Sequence, residues 1–563
     1  MTSLRLLLPL AAACGLSFAS ALAQTADTIY HGGPIVTVND AAPSAEALAV
    51  QDGKILAVGS KDDVLKTQGD RTKLVNLGGK TLVPGFIDGH AHFFQFGTQA
   101  VGANLLAQPD GKVDTIDDLV AALKEFAAGP DVARTGWIFG LGYDDAILGR
   151  HPTAEDLDKV STEVPVIAVH ISGHFSGVNS VGLKKIGYTA DTKDPEGGII
   201  RRKPGTQEPN GVLEELAHFP PMLKAVTPTQ PEDVAYFAKR GTELAKSFGY
   251  TTAQEGRAFT NIHDAMASYA KSGGYDIDVV SYIDYTDLSP LASEWYGPTY
   301  KNHYRVAGAK ITLDGSPQGR TAWRTIPYLL PPDGQQAGYK GYPAIPTDLT
   351  IKRLFDRAFE NKWQVIAHAN GDAAVDQLLR CVRPAYEKHG PGDRRHTLIH
   401  GQFVRMDQLD AMKELQIIPS LFPMHTFYWG DWYDQIIGPE LAQQISPIKS
   451  AIKKGMIVTS HTDAPVALPN LMQVLSATVN RTSRSGKVMG PDERLTPLEA
   501  LKCITLWGAY QHFEEKTKGS LETGKLADLV ILSDNPLTCD PAAIGKIQVL
   551  ETIKEGRTVY RAQ

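Results

Sequence analysis

The sequence predicts an α/β protein whose main domain is a distorted TIM (β/α)8 barrel, with a small composite β-sandwich domain formed from both chain ends. Three observations predict this fold class. Eight apolar, strand-like runs are present, amphipathic helical stretches fall between them, and both chain ends consist of short strands separated by turns. The 563 residues are 42% hydrophobic and 21% charged, which is typical of a water-soluble globular protein.

The charge balance argues against binding to long polyanions. Lys and Arg number 56 against 63 Asp and Glu, which gives a net charge of -7 without a long run of one sign. Proteins that bind nucleic acid or anionic membranes normally carry a basic patch. The sequence therefore predicts that the mature form binds a small molecule and neither nucleic acid nor a membrane. It leaves open whether the protein forms a homodimer.

The first 23 residues are predicted to be a cleaved signal peptide. Arg5 precedes the uncharged apolar run 6–22, and Ala21-Leu22-Ala23 has the small-x-small pattern of a cleavage site. A lipoprotein signal is not favoured, because Ala11 is a poor residue for that motif and the apolar run continues past Cys14. We therefore expect a periplasmic or secreted protein.

The two ends of the mature chain have the same sequence pattern. Residues 27–83 contain apolar runs separated by turn residues, and residues 518–563 repeat that pattern. The runs and turns of the first stretch are 35–38, Asn39-Asp40, 47–50, Asp52-Gly53 and 55–58. Neither stretch is long enough to fold alone, so we predict one β-domain assembled from 27–83 and 518–563.

Residues 84–517 are predicted to form the barrel. The eight candidate strands are residues 86–92, 251–255, 279–283, 309–313, 365–368, 397–400, 417–421 and 456–460. Amphipathic stretches such as 349–361, 373–388 and 407–414 lie between them. His368 and His400 are 32 residues apart, about one βα unit, and Asp463 follows 63 residues later, about two units.

One connection is much longer than a single helix. The segment from about 93 to 250 separates the first two candidate strands and contains the strand-like runs 137–143 and 166–170. Loops of this length are usually functional or carry their own subdomain. We predict an insertion over the barrel mouth that influences the choice of substrate.

Two histidines end the first candidate strand, in the run FIDGHAH, residues 86–92. Side chains on a strand alternate between faces, so His90 and His92 are expected on the same side. At the carboxyl end of a barrel strand that side is the cavity. Two neutral imidazoles there favour zinc or a similar divalent transition metal. The alternative is two unrelated histidines beside a glycine turn.

Four more polar residues end apolar strands. Each of these residues, taken alone, is explained as a hydrogen-bonded core or turn residue. The ammonium of Lys310, however, would be costly to bury without a partner on an apolar strand. Together they have no simple packing explanation. The sequence therefore predicts one site made of His90, His92, Lys310, His368, His400 and Asp463.

With these motifs the chain resembles the amidohydrolase superfamily and, more closely, its YtcJ-like branch, which includes N-substituted formamide deformylase. The resemblance covers nearly the whole mature chain. Its motifs are PGFIDGHAH at 84–92, residues 310–322 with DGS and RTA, HANGD at 368–372, HG at 400–401, DAP at 463–465 and GSLETGKLADLV at 519–530.

The resemblance implies a distorted metal-bearing barrel holding one or two ions of Zn²⁺ or another divalent transition metal. In the two-ion arrangement His90, His92 and Asp463 bind one ion, His368 and His400 bind the other, and a carboxylated Lys310 bridges them. In the one-ion arrangement Lys310 stays unmodified, and His368 or His400 contacts the substrate.

The implied chemistry is hydrolysis of a carbon–nitrogen bond in an amide or N-substituted formamide by a metal-bound hydroxide. Asp463 takes the proton as base and returns it to the leaving nitrogen as acid. A cyclic amidase, a deaminase or a lactonase would use the same site, and a non-catalytic metal-binding scaffold is a further alternative. The sequence contains neither a P-loop nor a dinucleotide fingerprint.

Four residues outside this set are candidates for substrate binding or support. His461 contacts substrate, alters the metal geometry or bonds nearby backbone. His174 binds a substrate carbonyl or is a structural loop histidine. Arg320 holds a substrate anion or a neighbouring carboxylate, and Asp372 orients His368.

An aromatic segment, residues 426–433, follows the seventh candidate strand. We predict a barrel-top loop in which Trp429 and Trp432 line an apolar or aryl substrate pocket. The alternative is that these rings pack a lid or an oligomer interface.

Overall fold

The computed structural model describes residues 25–195, 198–228, 230–332 and 334–563, and the predicted signal peptide, residues 1–23, lies outside them. Strands gather into three sheets, which we call the terminal sheet, the insertion sheet and the barrel sheet. Within the described ranges, no helix is both long and apolar enough to cross a membrane.

The terminal sheet combines strands from both ends of the described chain. Its strands are Thr28–Val36, Ser44–Gln51, Lys54–Gly59, Lys73–Asn76, Thr81–Pro84, Leu529–Leu532, Val549–Lys554 and Arg557–Arg561. The two ends meet where Leu529–Leu532 pairs antiparallel with Thr81–Pro84. Asp52 and Gly53 both have positive φ, 48° and 76°, as the predicted tight hairpin requires. A two-layer sandwich and the domain limits stay predictions.

The insertion has a sheet of its own. Its strands are Ala103–Asn104, Ile138–Tyr143, Val166–His170, Phe175–Val178, Gly198–Arg202 and Pro209–Glu215. Its α-helices are Ile116–Ala127, Val132–Thr135, Asp145–Leu148, Ala154–Asp158, Ser180–Ile186 and Phe219–Val226. The helix Ile116–Ala127 begins at a capping box in which Thr115 and Asp118 satisfy each other's backbone N–H groups. The long connection is therefore folded structure.

The barrel sheet contains eight parallel strands, numbered here 1 to 8 in chain and sheet order. They are Phe86–Ile87, Tyr250–Ala258, Asp278–Asp284, Tyr304–Thr312, Gln364–Ala369, Thr397–His400, Ile418–Leu421 and Thr459–Ser460. Apolar residues from these strands and the surrounding helices form the largest core. The fold is a TIM-barrel-like α/β fold.

Helices surround the barrel sheet and connect its strands. The remaining α-helices, of which the second and third lie within the predicted limits of the insertion, are Lys61–Leu65, Phe93–Val101, Pro231–Ser247, Thr260–Lys271, Asp348–Asn361, Asp372–His389, Met406–Glu414, Met424–Ile437, Pro439–Ala442, Ile448–Lys453, Leu471–Asn480, Pro497–Cys503 and Leu506–Gln511. Short 3-10 helices span Ser289–Ala292, Pro491–Glu493 and Pro541–Lys546.

Strands 1 and 8 are shorter than predicted. The ladder ends at Ile87 in strand 1, and Thr459 is the first paired residue of strand 8. Beyond these strands the two segments bond each other directly, with the Asp463 N–H donating to the His90 carbonyl at 3.0 Å. The His92 N–H likewise donates to the Ala464 carbonyl at 2.8 Å. His90 and His92 thus lie beyond the regular strand on which the alternation argument placed them.

The predicted aromatic loop after strand 7 is wrong, because residues 426–433 lie within the helix Met424–Ile437. His425, Trp429 and Tyr433 are four residues apart and therefore share one helix face. The ring of His425 lies 4.8 Å from that of Trp429 and 6.0 Å from that of Tyr433. Burial of this aromatic face against the core favours the helix.

Buried ion pairs join the terminal sheet to the amino-terminal end of the barrel. The Asp278 carboxylate, at the start of strand 3, lies 2.5 Å from Lys518 Nζ and 2.9 Å from Lys554 Nζ. All three residues are at most 3% exposed. Burial alone would raise the pKa of Asp278, but the two lysines hold it well below its usual range.

Asp278→Asn is expected to lower the free energy of unfolding by about 3 kcal/mol, because it leaves two buried ammonium groups without their shared carboxylate. Urea unfolding followed by fluorescence measures the change. Asp276→Asn is the matched control, since Asp276 pairs with Lys246 at a more exposed position, and its loss should stay below about 1 kcal/mol. Equal losses in the two variants would contradict the importance of the buried pairs.

Candidate metal centre

Six polar side chains lie together at the carboxyl-terminal end of the barrel sheet. They are the six predicted from the sequence: His90 and His92 after strand 1, Lys310 on strand 4, His368 on strand 5, His400 at the end of strand 6 and Asp463 after strand 8. This is the face of a TIM barrel that carries active sites. His92 and His368 are partly exposed, while the other four are buried.

Asp463 is at the centre of three histidines. Its Oδ1 lies 3.7 Å from His90 Nε2 and 3.5 Å from His92 Nε2. Its Oδ2 lies 3.9 Å from His400 Nε2. Donor atoms of His90, His92 and Asp463 all fall within 4.8 Å of one another. The two carboxylate oxygens therefore face different histidines.

Backbone conformation turns two of these side chains inward. His400 and Asp463 have φ values of 77° and 51°, in the left-handed region that non-glycine residues rarely adopt. Such conformations cost energy and cluster at functional sites. Asp88 supports the second turn, because its carboxylate accepts hydrogen bonds from the Thr462 backbone N–H at 3.2 Å and from the Tyr250 hydroxyl at 2.7 Å.

Lys310 lies within the same group, with its Nζ 3.2 Å from His90 Nε2. Only 1% of Lys310 is exposed. Burial lowers the pKa of the Lys310 ammonium to about 7, although the Asp463 carboxylate opposes this shift. A substantial fraction of the side chain is therefore a neutral amine near neutral pH.

His368 and His400 form the other side of the centre, with ring centroids 4.5 Å apart. His368 directs Nε2 outward, to within 3.3 Å of the Gly315 carbonyl and 3.4 Å of Asp314 Oδ1. Its Nδ1 is therefore the nitrogen left for a ligand bond. His400 instead directs Nδ1 outward to His461, at 3.0 Å, and Nε2 toward Asp463.

Gln254 fixes the tautomer of His90. Its amide Nε2 donates to the Gly89 carbonyl at 2.8 Å, so its Oε1 faces His90 Nδ1 at 2.7 Å. An amide oxygen only accepts, so His90 carries its proton on Nδ1 and presents the Nε2 lone pair to the centre. Gly256 makes room for this ring, because a Cβ there would lie 2.1 Å from His90 Cε1.

The electrostatics keep the buried imidazoles neutral and the carboxylate charged. Burial lowers the pKa of His90 and of His400 well below the ordinary value, and nearby Lys310 and other histidines lower both further. Burial raises the pKa of Asp463, but the hydrogen bond with His92 and the electrostatic attraction of His92, His461 and Lys310 together outweigh burial, so the net shift is downward. Neutral imidazole and ionised carboxylate are the forms that bind metal ions.

This donor set fits a divalent transition metal. Imidazole nitrogens with one carboxylate suit zinc and similar ions, whereas Mg²⁺ and Ca²⁺ prefer oxygen ligands alone. The Nδ1 atoms of His90 and His400 already have outer hydrogen-bond partners, and Glu255 Oε1 lies 3.9 Å from His92 Nδ1. Such partners characteristically orient ligating histidines.

His174 lies near this centre on the insertion. Its Nδ1 bonds Glu215 Oε2 at 2.8 Å. Burial lowers the pKa of His174, but the Glu215 and Asp463 carboxylates raise it above the ordinary value. The insertion therefore brings a polar histidine within electrostatic reach of Asp463, consistent with the predicted position over the barrel mouth.

Arg320 donates to the backbone carbonyls of Leu330 and Pro331, at 3.2 and 2.7 Å, and its guanidinium lies 5.0 Å above the Trp432 ring. Trp429 is 5% exposed and is one of the buried residues of the helix Met424–Ile437. Substrate contacts by these two residues stay predictions.

The predicted role of Asp372 is wrong. Its carboxylate bonds Thr325 and lies 3.1 Å from Arg405, so it ties loops together outside the centre. Asp314 is the carboxylate beside His368, and it also accepts the backbone N–H groups of Asn370 and Gly371 at 2.9 and 2.7 Å. Asp372 begins a helix after strand 5, which points its side chain away from His368.

Sequence reasoning assigned no role to several residues that hold the histidines in place. These are Asp88, Gln254, Glu255, Asp314 and Ser420. Only their position along the chain could have pointed to these residues. Gln254 and Glu255 lie on strand 2, and Asp88 and Asp314 lie within the motifs at 84–92 and 310–322.

The chain is similar to known proteins over nearly its whole length. A family model described as the amidohydrolase family matches residues 73–560. YtcJ of Bacillus subtilis (strain 168), named as an amidohydrolase, is 28% identical over 548 residues, covering 94% of this chain and 99% of that protein. N-substituted formamide deformylase of Arthrobacter pascens is 23% identical over 563 residues, covering 96% and 99%.

A solved structure shares the fold. It is that of an uncharacterized metal-dependent hydrolase from Pyrococcus horikoshii OT3, with a TM-score of 0.72 and 23% sequence identity. The similarity covers 95% of this chain and all of that one.

Proposed function

Because the chain belongs to the amidohydrolase family and is therefore a hydrolase acting on carbon–nitrogen bonds, we propose that it cleaves an amide or an N-substituted formamide. The observation that carries this proposal is the convergence of five buried or half-buried nitrogen donors around the Asp463 carboxylate at the barrel mouth. The likeness to N-substituted formamide deformylase supports the choice of substrate class.

In our proposal His90, His92 and Asp463 hold one zinc or similar divalent ion. His368 and His400 would hold a second ion, and Lys310 would bridge the two as a carbamate, formed when its neutral amine adds CO2 and loses a proton. A bound ion would polarise the substrate carbonyl and lower the pKa of water from 15.7 to about 7. With a single ion, Lys310 remains an amine, and His368 or His400 is available to the substrate.

Asp463 handles the protons in this scheme. One carboxylate oxygen accepts a proton from the attacking water as the new carbon–oxygen bond forms. The same group then donates that proton to the nitrogen as the carbon–nitrogen bond breaks, so that the amine leaves neutral. The geometry supports this role, because the two oxygens of Asp463 face different histidines and can perform different tasks.

His174 is proposed to bind the substrate carbonyl from the insertion side. Glu215 holds the His174 ring through Nδ1, which leaves Nε2 to face a ligand. The insertion then limits which amides reach Asp463. We further propose that the protein acts after export, on small amides available outside the cytoplasm.

Carboxylation of Lys310 predicts a labelled carbamate. Protein equilibrated with zinc and ¹³C-bicarbonate should show a carbamate carbon resonance, because the buried amine adds CO2 and the ions stabilise the product. Lys310→Met, of similar length and without the amine, is the control and should lack the resonance. A wild-type protein that binds zinc without this signal would contradict the bridging arrangement and favour the one-ion site.

Metal analysis paired with a substrate screen tests the proposed function. Purified protein should contain one or two divalent ions per chain and hydrolyse at least one compound among formamides, N-acyl amino acids and simple amides. Cyclic amides, aminated heterocycles and lactones in the same screen decide between the proposed reaction and its alternatives. A metal-loaded protein that binds amides but hydrolyses none of these compounds would support the scaffold alternative.

A further inference from the structure

His461 is fully buried directly behind His400. Its exposed fraction is 0%, and its ring stacks on Phe422 with centroids 5.2 Å apart and planes within 8°. The structure bonds both ring nitrogens to side chains instead of to the backbone. His461 Nε2 lies 3.0 Å from His400 Nδ1, and His461 Nδ1 lies 3.0 Å from the Ser420 hydroxyl oxygen.

These contacts form a chain of hydrogen bonds from strand 7 to the metal centre. Two imidazole nitrogens 3.0 Å apart share one proton, so one must donate and the other must accept. A neutral imidazole carries only one N–H, so the direction of the His400–His461 hydrogen bond determines the direction of the His461–Ser420 hydrogen bond. Either the whole chain points toward Ser420, or the whole chain points toward the centre.

Only one of these two directions suits a cation at the centre. If His400 Nδ1–H donates to His461 Nε2, then His461 Nδ1–H donates to the Ser420 oxygen, and His400 Nε2 presents a lone pair toward Asp463. In the opposite direction His400 Nε2 carries a hydrogen that points into the centre, where it would oppose a positive ion.

We propose that His461, together with Ser420, is a positioning residue that fixes the tautomer and orientation of His400 so that His400 Nε2 can bind the catalytic metal. The inference rests on the proposed function and adds a residue that does not itself touch the ion or the substrate. Gln254 performs the corresponding task for His90, by accepting from Nδ1 at 2.7 Å. The two buried histidines are thus oriented by different residues, His90 by Gln254 on strand 2 and His400 by His461, which directly follows strand 8.

Zinc affinity of the apoprotein, measured by competition with a chromophoric chelator, tests this proposal. His461→Phe keeps an aromatic ring against Phe422 but removes both nitrogens, so His400 Nδ1–H loses its acceptor. The dissociation constant of the zinc that His400 would hold should rise about 10- to 100-fold. His461→Gln should restore most of the affinity, because its amide can accept from His400 and donate to Ser420.

His425→Phe is the matched control. His425 is also a buried histidine beside Phe422, at 5.0 Å between rings, and its Nδ1 bonds the Tyr433 hydroxyl at 2.6 Å. Its substitution should leave zinc affinity near the wild-type value. Equal zinc affinity in His461→Phe and His425→Phe would overturn the proposal, as would a His461→Gln variant as weak as His461→Phe.

The result of this test on His461 can be separated from the result of the test of the proposed function. The ratio of zinc affinities between variant and wild type decides the role of His461 even if wild-type protein hydrolyses no amide. Thermal unfolding of the zinc-free variants distinguishes a positioning role from a structural one. His461→Phe apoprotein should unfold close to the wild-type temperature, and a loss of zinc affinity that only parallels general unfolding would overturn the proposal.

Discussion

Removal of bound metal is expected to reduce amide hydrolysis to the background rate, and added Zn²⁺ should restore it. The physical reason is that in the proposed mechanism the attacking group is water and not a side chain. Neutral water, with a pKa of 15.7, is a poor nucleophile until a cation lowers that value. Initial rates before and after dialysis against a chelator, and after zinc is returned, measure the effect.

The control is dialysis against the same chelator already saturated with zinc, which should leave the rate unchanged. Circular dichroism of the apoprotein checks that the fold persists, as expected from a core that is independent of the centre. A metal-free protein that still turns over at the full rate would remove the basis of the proposed mechanism.

Asp463→Asn is expected to lower kcat by about 10²- to 10⁴-fold, because an amide cannot carry the proton between water and the leaving nitrogen. Zinc content should remain near that of the wild type, since the asparagine oxygen can still face His90 and His92. Steady-state kinetics combined with metal analysis separates these two effects. KM should change much less than kcat, because the lost group acts on the transition state.

Asp376→Asn serves as the control for a carboxylate-to-amide change. Asp376 pairs with Arg405 on the outer part of the barrel, at 2.9 Å. Its substitution should leave kcat unchanged. An Asp463→Asn enzyme with wild-type kcat and full metal content would require a different proton carrier.

The donors of the centre could be predicted because a TIM barrel turns chain order into spatial order. His368, His400 and Asp463 are separated by about one and two βα units, so their strand ends must meet at one edge. Lys310 was noticeable because an ammonium on an apolar strand demands an explanation. For His90 and His92 the expected regular strand was not found, yet the bonds of residues 90 and 92 to residues 463 and 464 bring them to the same edge.

The residues behind the donors could not be predicted. Gln254 supports His90 across 164 positions, and Ser420 bonds His461 across 41 positions. Glutamine and serine occur on many strands, so their type carries no signal until the partner is known. For Asp372 the prediction failed for the opposite reason. Asp372 is close to His368 in the sequence, but its side chain points away from His368.

The helix Met424–Ile437 illustrates a second limit. Its aromatic residues indicate burial, but the same residues suit a pocket lining, a lid or a packed helix face. Contacts among His425, Trp429 and Tyr433 show a packed helix face in place of the expected loop, while a substrate contact by Trp429 stays a prediction.

The sequence by itself determined the family, the alternation of strands and helices and the identity of the six donors, because these depend on residue type and on spacing along the chain. The tertiary structure decided which nitrogen of each histidine faces the centre, which carboxylate supports His368, and that His461 stands behind His400. Hydrogen-bond direction depends on distances of about 3 Å between residues that are remote in the chain, and such distances are set only when the strands and their connecting loops are packed together.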